Sequence, residues 1–153
     1  MTKIQNQKNI FIAIDNKKIQ CDEGESVLAC AIRHDIEIPH FCYHEDLPID
    51  GACRTCLVDV FPNHKITTSC DLKVKPGLKV STKTPEVQTL RRENMELMLA
   101  DHKKLCHNCR RGLFCKTWAL MKKFKVTGEK YDRAKINAPI HKMATAAEFD
   151  PQA

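Results

Sequence analysis

Cys42-Tyr43-His44-Glu45-Asp46-Leu47-Pro48-Ile49-Asp50-Gly51-Ala52-Cys53-Arg54-Thr55-Cys56, followed after thirteen residues by Cys70, is the stretch around which this chain is organised. In pattern form it reads C-x10-C-x2-C-x13-C. A helix cannot bring Cys42 and Cys53 together. A loop must do so, and Pro48 and Gly51 suit one. Cys53 and Cys56, three apart around a tight turn, can share one metal centre, with Cys42 and Cys70 arriving from flanking segments. Four Cys thiolates are the ligand set of a [2Fe–2S] cluster and equally that of a structural zinc. Spacing alone leaves both open.

Downstream lies a second run of soft ligands, His102-x3-Cys106-x2-Cys109-x5-Cys115. It places one imidazole and three thiols within fourteen residues. Gly112 lets the chain turn back towards Cys115. The set suits a [4Fe–4S] cubane with His102 on one iron, or a Cys3His zinc knuckle. His107 lies between two of the cysteines and reads as a solvent-facing loop histidine.

Outside these runs the chain alternates between strand and helix signals. Residues 9–14 read as a strand, Asp15-Asn16 as a turn pair tolerant of left-handed geometry, and residues 17–21 as the returning strand. Ser26 is a good N-cap for a helix to about His34, with Val27, Leu28, Ala31 and Ile32 on its apolar face. Further strands are predicted over 57–61, 65–69 and 78–82. Thr84-Pro85-Glu86 opens a helix to about Ala100, Thr84 capping and Pro85 at the first helical position. Its apolar face is read as Val87, Leu90, Leu97 and Met98, with Arg91 and Arg92 on the solvated side. A last helix is expected over about 113–126, with Phe114, Trp118 and Met121 in one stripe and Leu113, Leu120 and Phe124 beside it. The order is that of an α+β fold, a small mixed sheet crossed by one helix.

Composition bounds the rest. With 153 residues, six Phe, two Tyr and one Trp, the core is modest and metal staples would compensate. Residues 1–9 are polar with no apolar leader-like run, so no secretory signal is expected. No apolar run approaches the roughly 18 residues that span a bilayer. A cytoplasmic, thiol-reducing compartment is therefore expected, where nine cysteines point to metal ligands rather than disulfides, and the odd count agrees. Cys21 and Cys30 read as buried small hydrophobes. The formal charge of +6 falls to about +3 once thiolate-bound clusters of roughly −2 and −1 are included. That remainder does not call for nucleic acid.

Ile38-Pro39-His40-Phe41-Cys42-Tyr43-His44, Cys53-Arg54-Thr55-Cys56-Leu57-Val58-Asp59-Val60 and Thr68-Ser69-Cys70 resemble the N-terminal [2Fe–2S] ferredoxin domain of the complex I large iron–sulfur subunit. Similar domains occur in NAD-linked hydrogenases and formate dehydrogenases. Leu97-Met98-Leu99-Ala100-Asp101-His102, followed by Cys106, Cys109 and Cys115, resembles their adjoining His(Cys)3-ligated [4Fe–4S] module. The resemblance covers about residues 9–126. It implies a β-grasp [2Fe–2S] domain over 1–82, a two-helix [4Fe–4S] module over 83–128 and an extended basic tail over 129–153. It also implies that Cys42, Cys53, Cys56 and Cys70 hold a [2Fe–2S] cluster, and His102, Cys106, Cys109 and Cys115 a [4Fe–4S] cluster. Two features depart from the family. Arg110-Arg111-Gly112-Leu113-Phe114 stands where glycines are usual before the last cysteine, and the chain stops where relatives continue into further domains.

No glycine-rich dinucleotide loop, phosphate-binding Gly-Lys-Ser/Thr or nucleophile elbow occurs, so no substrate site is expected. The resemblance implies an electron-transfer subunit between an NAD(P)H-linked flavoprotein of NADH/FMN type and a further redox subunit. Neither nucleic acid nor membrane insertion is expected, and peripheral association with a membrane complex is compatible with it. Arg54 is the candidate for tuning the first centre. The competing class is a structural protein with two zinc sites, its Lys116, Lys122, Lys123 and Lys125 meeting nucleic-acid phosphates.

Overall fold

Ile10, Ile12 and Ile14 are buried while Phe11 faces outward, the period of a strand with one covered face. The computed structural model describes residues 10–100, 102, 106–111, 114–131, 141–142 and 148–149, with only the backbone of 107, 141–142 and 148–149. Expectations for 1–9, Gly112, Leu113, the His107 side chain and most of the tail fall outside these residues. β1 (Ile10–Ile14) and β2 (Lys17–Cys21) form the hairpin expected from Asp15-Asn16. Both turn residues take left-handed backbone, at φ 49° and 67°. β3 (Leu57–Phe61) and β4 (Lys65–Thr68) make a second hairpin.

β5 (Lys79–Ser81) joins the two hairpins. It lies parallel to β1, Val80 opposite Ile14, and antiparallel to β3, Val80 opposite Val60. The strand order is β2-β1-β5-β3-β4. This mixed sheet with three helices is a ferredoxin-like α+β fold.

α1 (Val27–Arg33) begins at Ser26, whose Oγ accepts from the Ala29 N–H at 3.2 Å. Val27, Leu28, Cys30 and Ala31 have no exposed surface, whereas Ile32 is 45% exposed. Ile32 therefore does not belong to the buried face. The helix start is tied to the segment after β4: Leu28 N–H donates to Ser69 O at 2.9 Å and Val27 N–H to Leu72 O at 2.8 Å.

Cys21 and Cys30 correct the sequence reading. Both are buried, as expected, but they form a disulfide with Cα atoms 5.6 Å apart, an ordinary bridging separation. α1 folds back so that its middle meets the end of β2, and this pairing is invisible to a local reading of either segment.

α2 (Pro85–Leu99) has the expected span but a different covered face. Val87, Arg91, Met95 and Leu99, each four apart, are buried, which is one helical stripe. Leu90, Leu97 and Met98 are exposed, as is Arg92. Thr84 does not cap with its side chain. Its carbonyl accepts from Gln88 N–H at 3.0 Å, while its buried hydroxyl has no partner among the described residues.

Two compact units divide within α2, Met1–Asn94 and Met95–Ala153. In the second, α3 (Lys116–Phe124) buries Leu120 and Phe124, with Val126 just beyond it. Trp118 and Met121 are half-buried, but Phe114 is 97% exposed. The helix starts at Lys116 rather than at 113, so Phe114 precedes it and falls out of the stripe. Glu96 accepts from the backbone N–H groups of Thr127 and Lys130. In the tail, β6 (His141–Lys142) pairs antiparallel with β7 (Glu148–Phe149).

The disulfide closes a loop of nine residues' separation, worth about 2.5–3 kcal/mol on a chain-entropy account. Replacing both Cys21 and Cys30 by Ser should lower the unfolding free energy in urea by that order. Adding a reductant to the unaltered chain should reproduce the loss, and identical curves with and without reductant would rule the bridge out.

Candidate metal centres

The turn that carries Cys53 and Cys56 is held by its backbone. Arg54 takes a left-handed φ of 48°, a conformation that costs a residue with a Cβ roughly 1–2 kcal/mol. Asn94 Nδ2 donates to the Arg54 carbonyl at 2.8 Å, and Arg91 Nη2 donates to the Leu57 carbonyl. Two α2 side chains thus grip the turn on either side of Cys56. From the opposite segment, the Ser69 N–H and Oγ both donate to the Cys56 carbonyl, at 3.0 and 2.7 Å. Ser69 in turn accepts from Leu28, so the start of α1 also fixes the neighbouring Cys70.

These contacts bring together all four cysteines of the first sequence pattern. The Cys42 and Cys53 sulfurs lie 3.3 Å apart and are half-buried. Cys56 and Cys70 are buried, and Cys56 is the nearest thiol acting on Cys70. No three of the four sulfurs lie within 4.8 Å of one another; among the described residues such a group is formed by Cys21, Glu25 and Cys30. Four thiols converging from the loop between Cys42 and Cys56 and the segment after β4 are the donor set that a [2Fe–2S] cluster takes, so the residues present fit that group.

The sulfurs differ electrostatically. Burial pushes the Cys53 thiol up, but hydrogen bonds from the Thr55 side chain and from the backbone of Thr55, Cys42 and Phe41 prevail and bring it down to about 7. Thr55 Oγ1 lies 3.2 Å from Cys53 Sγ. Cys70 is pushed up to about 12, first by burial and then by its contact with Cys56 and the charges of Cys56, Cys42 and Cys53. Cys42 is raised too, mainly by burial. Four such thiols cannot all ionise together without a cation among them, which is the condition a bound metal supplies.

Arg91, assigned to the solvated side by its charge, is instead 2% exposed. Burial lowers its pKa to about 10, opposed by the negative charges of Cys56 and then Asp15. Arg54, the expected tuning residue, is exposed. Thr55 and Ser69, both fully buried, are further residues of the site that the ligand spacing does not single out. Their signal in the sequence is a small hydroxyl residue inside or beside each cysteine motif.

The third group does not act as a metal site as it stands. The Cys21 and Cys30 sulfurs are bonded to each other, and Glu25 is engaged by Arg33 at 2.7 Å and by the Asp22 N–H.

The second sequence pattern is placed more openly. His102 is exposed and its N–H donates to Leu99 O at 3.1 Å. Cys106 and Cys109 are exposed at the two ends of a short 3-10 turn. Cys115 is half-buried and caps α3, its Sγ accepting from Trp118 N–H at 3.4 Å. No three of these four donor atoms lie within 4.8 Å of one another among the described residues.

A family model described as a 2Fe-2S iron-sulfur cluster binding domain matches residues 7–85. An NADH-quinone oxidoreductase subunit of Rickettsia prowazekii (strain Madrid E) is 40% identical over 106 residues, covering 69% of this chain and 16% of that protein. The mitochondrial NADH-ubiquinone oxidoreductase 78 kDa subunit of Neurospora crassa is 36% identical over 111 residues, covering 72% and 15%. The chain therefore spans about a sixth of the length of these relatives. Among solved structures, an NAD+-reducing [NiFe]-hydrogenase in the H2-reduced state superposes with a TM-score of 0.74 at 30% identity, over 80% of this chain and 52% of that one. The resemblance drawn from the first cysteine motif, to the [2Fe–2S] region of the complex I large subunit and of NAD-linked hydrogenases, is thus borne out.

Thiolate is the form that iodoacetamide alkylates. In chelator-stripped protein, Cys53 modification should rise with pH to a midpoint near 7, whereas Cys70 should stay unmodified up to pH values approaching 12. Thr55→Val should move the Cys53 midpoint upward, because a hydrogen bond to the charged form is lost. Peptide mapping by mass spectrometry reads both, and equal profiles for Cys53 and Cys70 would contradict this asymmetry.

Proposed function

The chain belongs to the 2Fe-2S iron-sulfur cluster binding domain family, and from that premise we propose that it is an electron-transfer subunit of an NADH-linked oxidoreductase. Cys42, Cys53, Cys56 and Cys70 hold the [2Fe–2S] cluster in a β-grasp domain over 1–82. His102, Cys106, Cys109 and Cys115 hold a [4Fe–4S] cluster in a helical module over 83–128, and 129–153 form a tail. The observation that carries this reading is the convergence of Cys42, Cys53, Cys56 and Cys70, with Cys42 and Cys53 3.3 Å apart, inside a match to a 2Fe-2S domain.

The bound clusters supply one-electron chemistry, and the chain's residues set where and how readily it occurs. Cys42 and Cys53 form the outward edge of the first site, and the loop between them exposes Leu47 and Ile49. Apolar side chains around such an edge suit a protein partner that must approach closely. The partners fitting this reading are an NADH/FMN-type flavoprotein subunit and a downstream redox subunit, in keeping with the NADH-linked and NAD+-reducing enzymes to which the chain is similar. Among the described residues no helix is long and apolar enough to cross a membrane, and the proposed setting is cytoplasmic, bound peripherally if at all, with the Cys21–Cys30 bridge fully buried and so shielded from thiol exchange.

Anaerobically purified protein should contain about six irons and give two reducible EPR signals. Two zincs and no signal would replace this function by a structural zinc role. One [2Fe–2S] signal with about two irons would limit the relay to the first centre. In a two-signal protein, His102→Cys should lower the midpoint of the second signal only, since a thiolate brings one more negative charge than an imidazole. An unmoved midpoint would remove His102 from the site.

A further inference from the structure

The buried guanidinium of Arg91 has an unusual set of neighbours. Nη1 donates to the Thr82 carbonyl at 2.9 Å, and Nη2 donates to the carbonyl of Leu57, the residue after Cys56. Nε, also buried, has no partner among the described residues. Among those residues no carboxylate lies within the 4.0 Å of an ion pair with it. The negative groups acting on it are Cys56 and, after it, Asp15. Asp15 is itself held by the Thr82 N–H and Oγ1, at 2.7 and 2.6 Å, and by Ser81 Oγ at 3.2 Å.

An unpaired cation in a protein interior costs several kcal/mol. Two carbonyl oxygens offset part of that cost. An anionic centre at Cys56 offsets more, and does so increasingly as its charge becomes more negative. Arginine suits this position because it remains protonated even when burial lowers its pKa.

We propose that Arg91 is a positioning residue that raises the reduction potential of the first centre, acting through Cys56 as a fixed buried cation. This rests on the reading of Cys56 as a [2Fe–2S] ligand. Reduction adds one electron and no proton to a site that is already negative, so a cation held nearby stabilises the reduced form more than the oxidised form. Burial makes the effect large, since water does not screen the charge. Arg54 lies nearer in sequence but is exposed, and solvent weakens its influence. The same Nη2 hydrogen bond fixes the peptide that follows Cys56, so charge and position come from one side chain.

The test is a redox titration of the whole chain with dithionite, following the [2Fe–2S] EPR signal and quantifying iron in every sample. Arg91→Gln should reduce the equilibrium constant for reduction at least tenfold, about 59 mV for one electron. Arg91→Lys, which keeps the charge but not the two-pronged geometry, should recover most of that loss. A glutamine variant that retains its two irons and an unmoved midpoint overturns the proposal. If that variant does not load, Arg91→Met, an uncharged side chain of similar length that brings no polar group of its own into the interior, becomes the deciding variant. Its midpoint should fall by the same tenfold change, and an unmoved midpoint at full iron content overturns the proposal. Absence of any [2Fe–2S] signal in the unaltered chain is a separate failure, that of the ligand reading on which the proposal stands.

Discussion

The peptide around Cys56 is held from both sides, and the first site depends on that grip. Ser69 binds the Cys56 carbonyl twice. Arg91 takes the next carbonyl, and Asn94 the one at Arg54. A loop of ten residues between its first two cysteines has many conformations, and fixing each costs about 1–2 kcal/mol in entropy. The anchors do not remove that cost. They confine most of it to the loop between Cys42 and Cys53, because the Cys56 side of the site is already hydrogen-bonded to Ser69, Arg91 and Asn94.

The rest of the first unit is arranged to deliver these anchors. β5 is short, yet it joins two hairpins and brings Thr82 to where Arg91 reaches its carbonyl. α1 is two turns long and contributes in three ways. It covers the sheet, it binds Ser69 and Leu72 through its first N–H groups, and it is bridged to β2 by Cys21–Cys30. A small core gains more from such covalent and polar ties than a large one, because there is less apolar surface to bury. The ties also converge on the metal-binding half of the unit.

The two ligand sets differ in how much protein surrounds them. In the first, hydrogen bonds hold the Cys53 thiol low while burial and neighbouring thiols hold Cys70 high, and a buried guanidinium binds the carbonyl after Cys56. In the second, His102, Cys106 and Cys109 are exposed. Buried charges interact strongly, whereas exposed ones are screened by water and salt.

The cysteine spacings, the strand and helix order and the turn at Asp15-Asn16 could be read from the sequence because each is local: a period, a cap, a left-handed pair. The covered face of α2 could not be read that way. Val87, Met95 and Leu99 sit at a four-residue period with Arg91 among them, and a rule that sends charges to solvent discards the correct stripe in favour of Leu90, Leu97 and Met98. Sequence also left a mononuclear zinc and a two-iron cluster equally open for Cys42, Cys53, Cys56 and Cys70, since both need the same four thiolates. The match of residues 7–85 to a 2Fe-2S cluster binding domain separates them, and only the folded chain brings the four thiols to one place. The Cys21–Cys30 bridge and the Arg91 contact belong to the same class of fact. Both join segments whose proximity is created by packing, and no property of either segment alone encodes it.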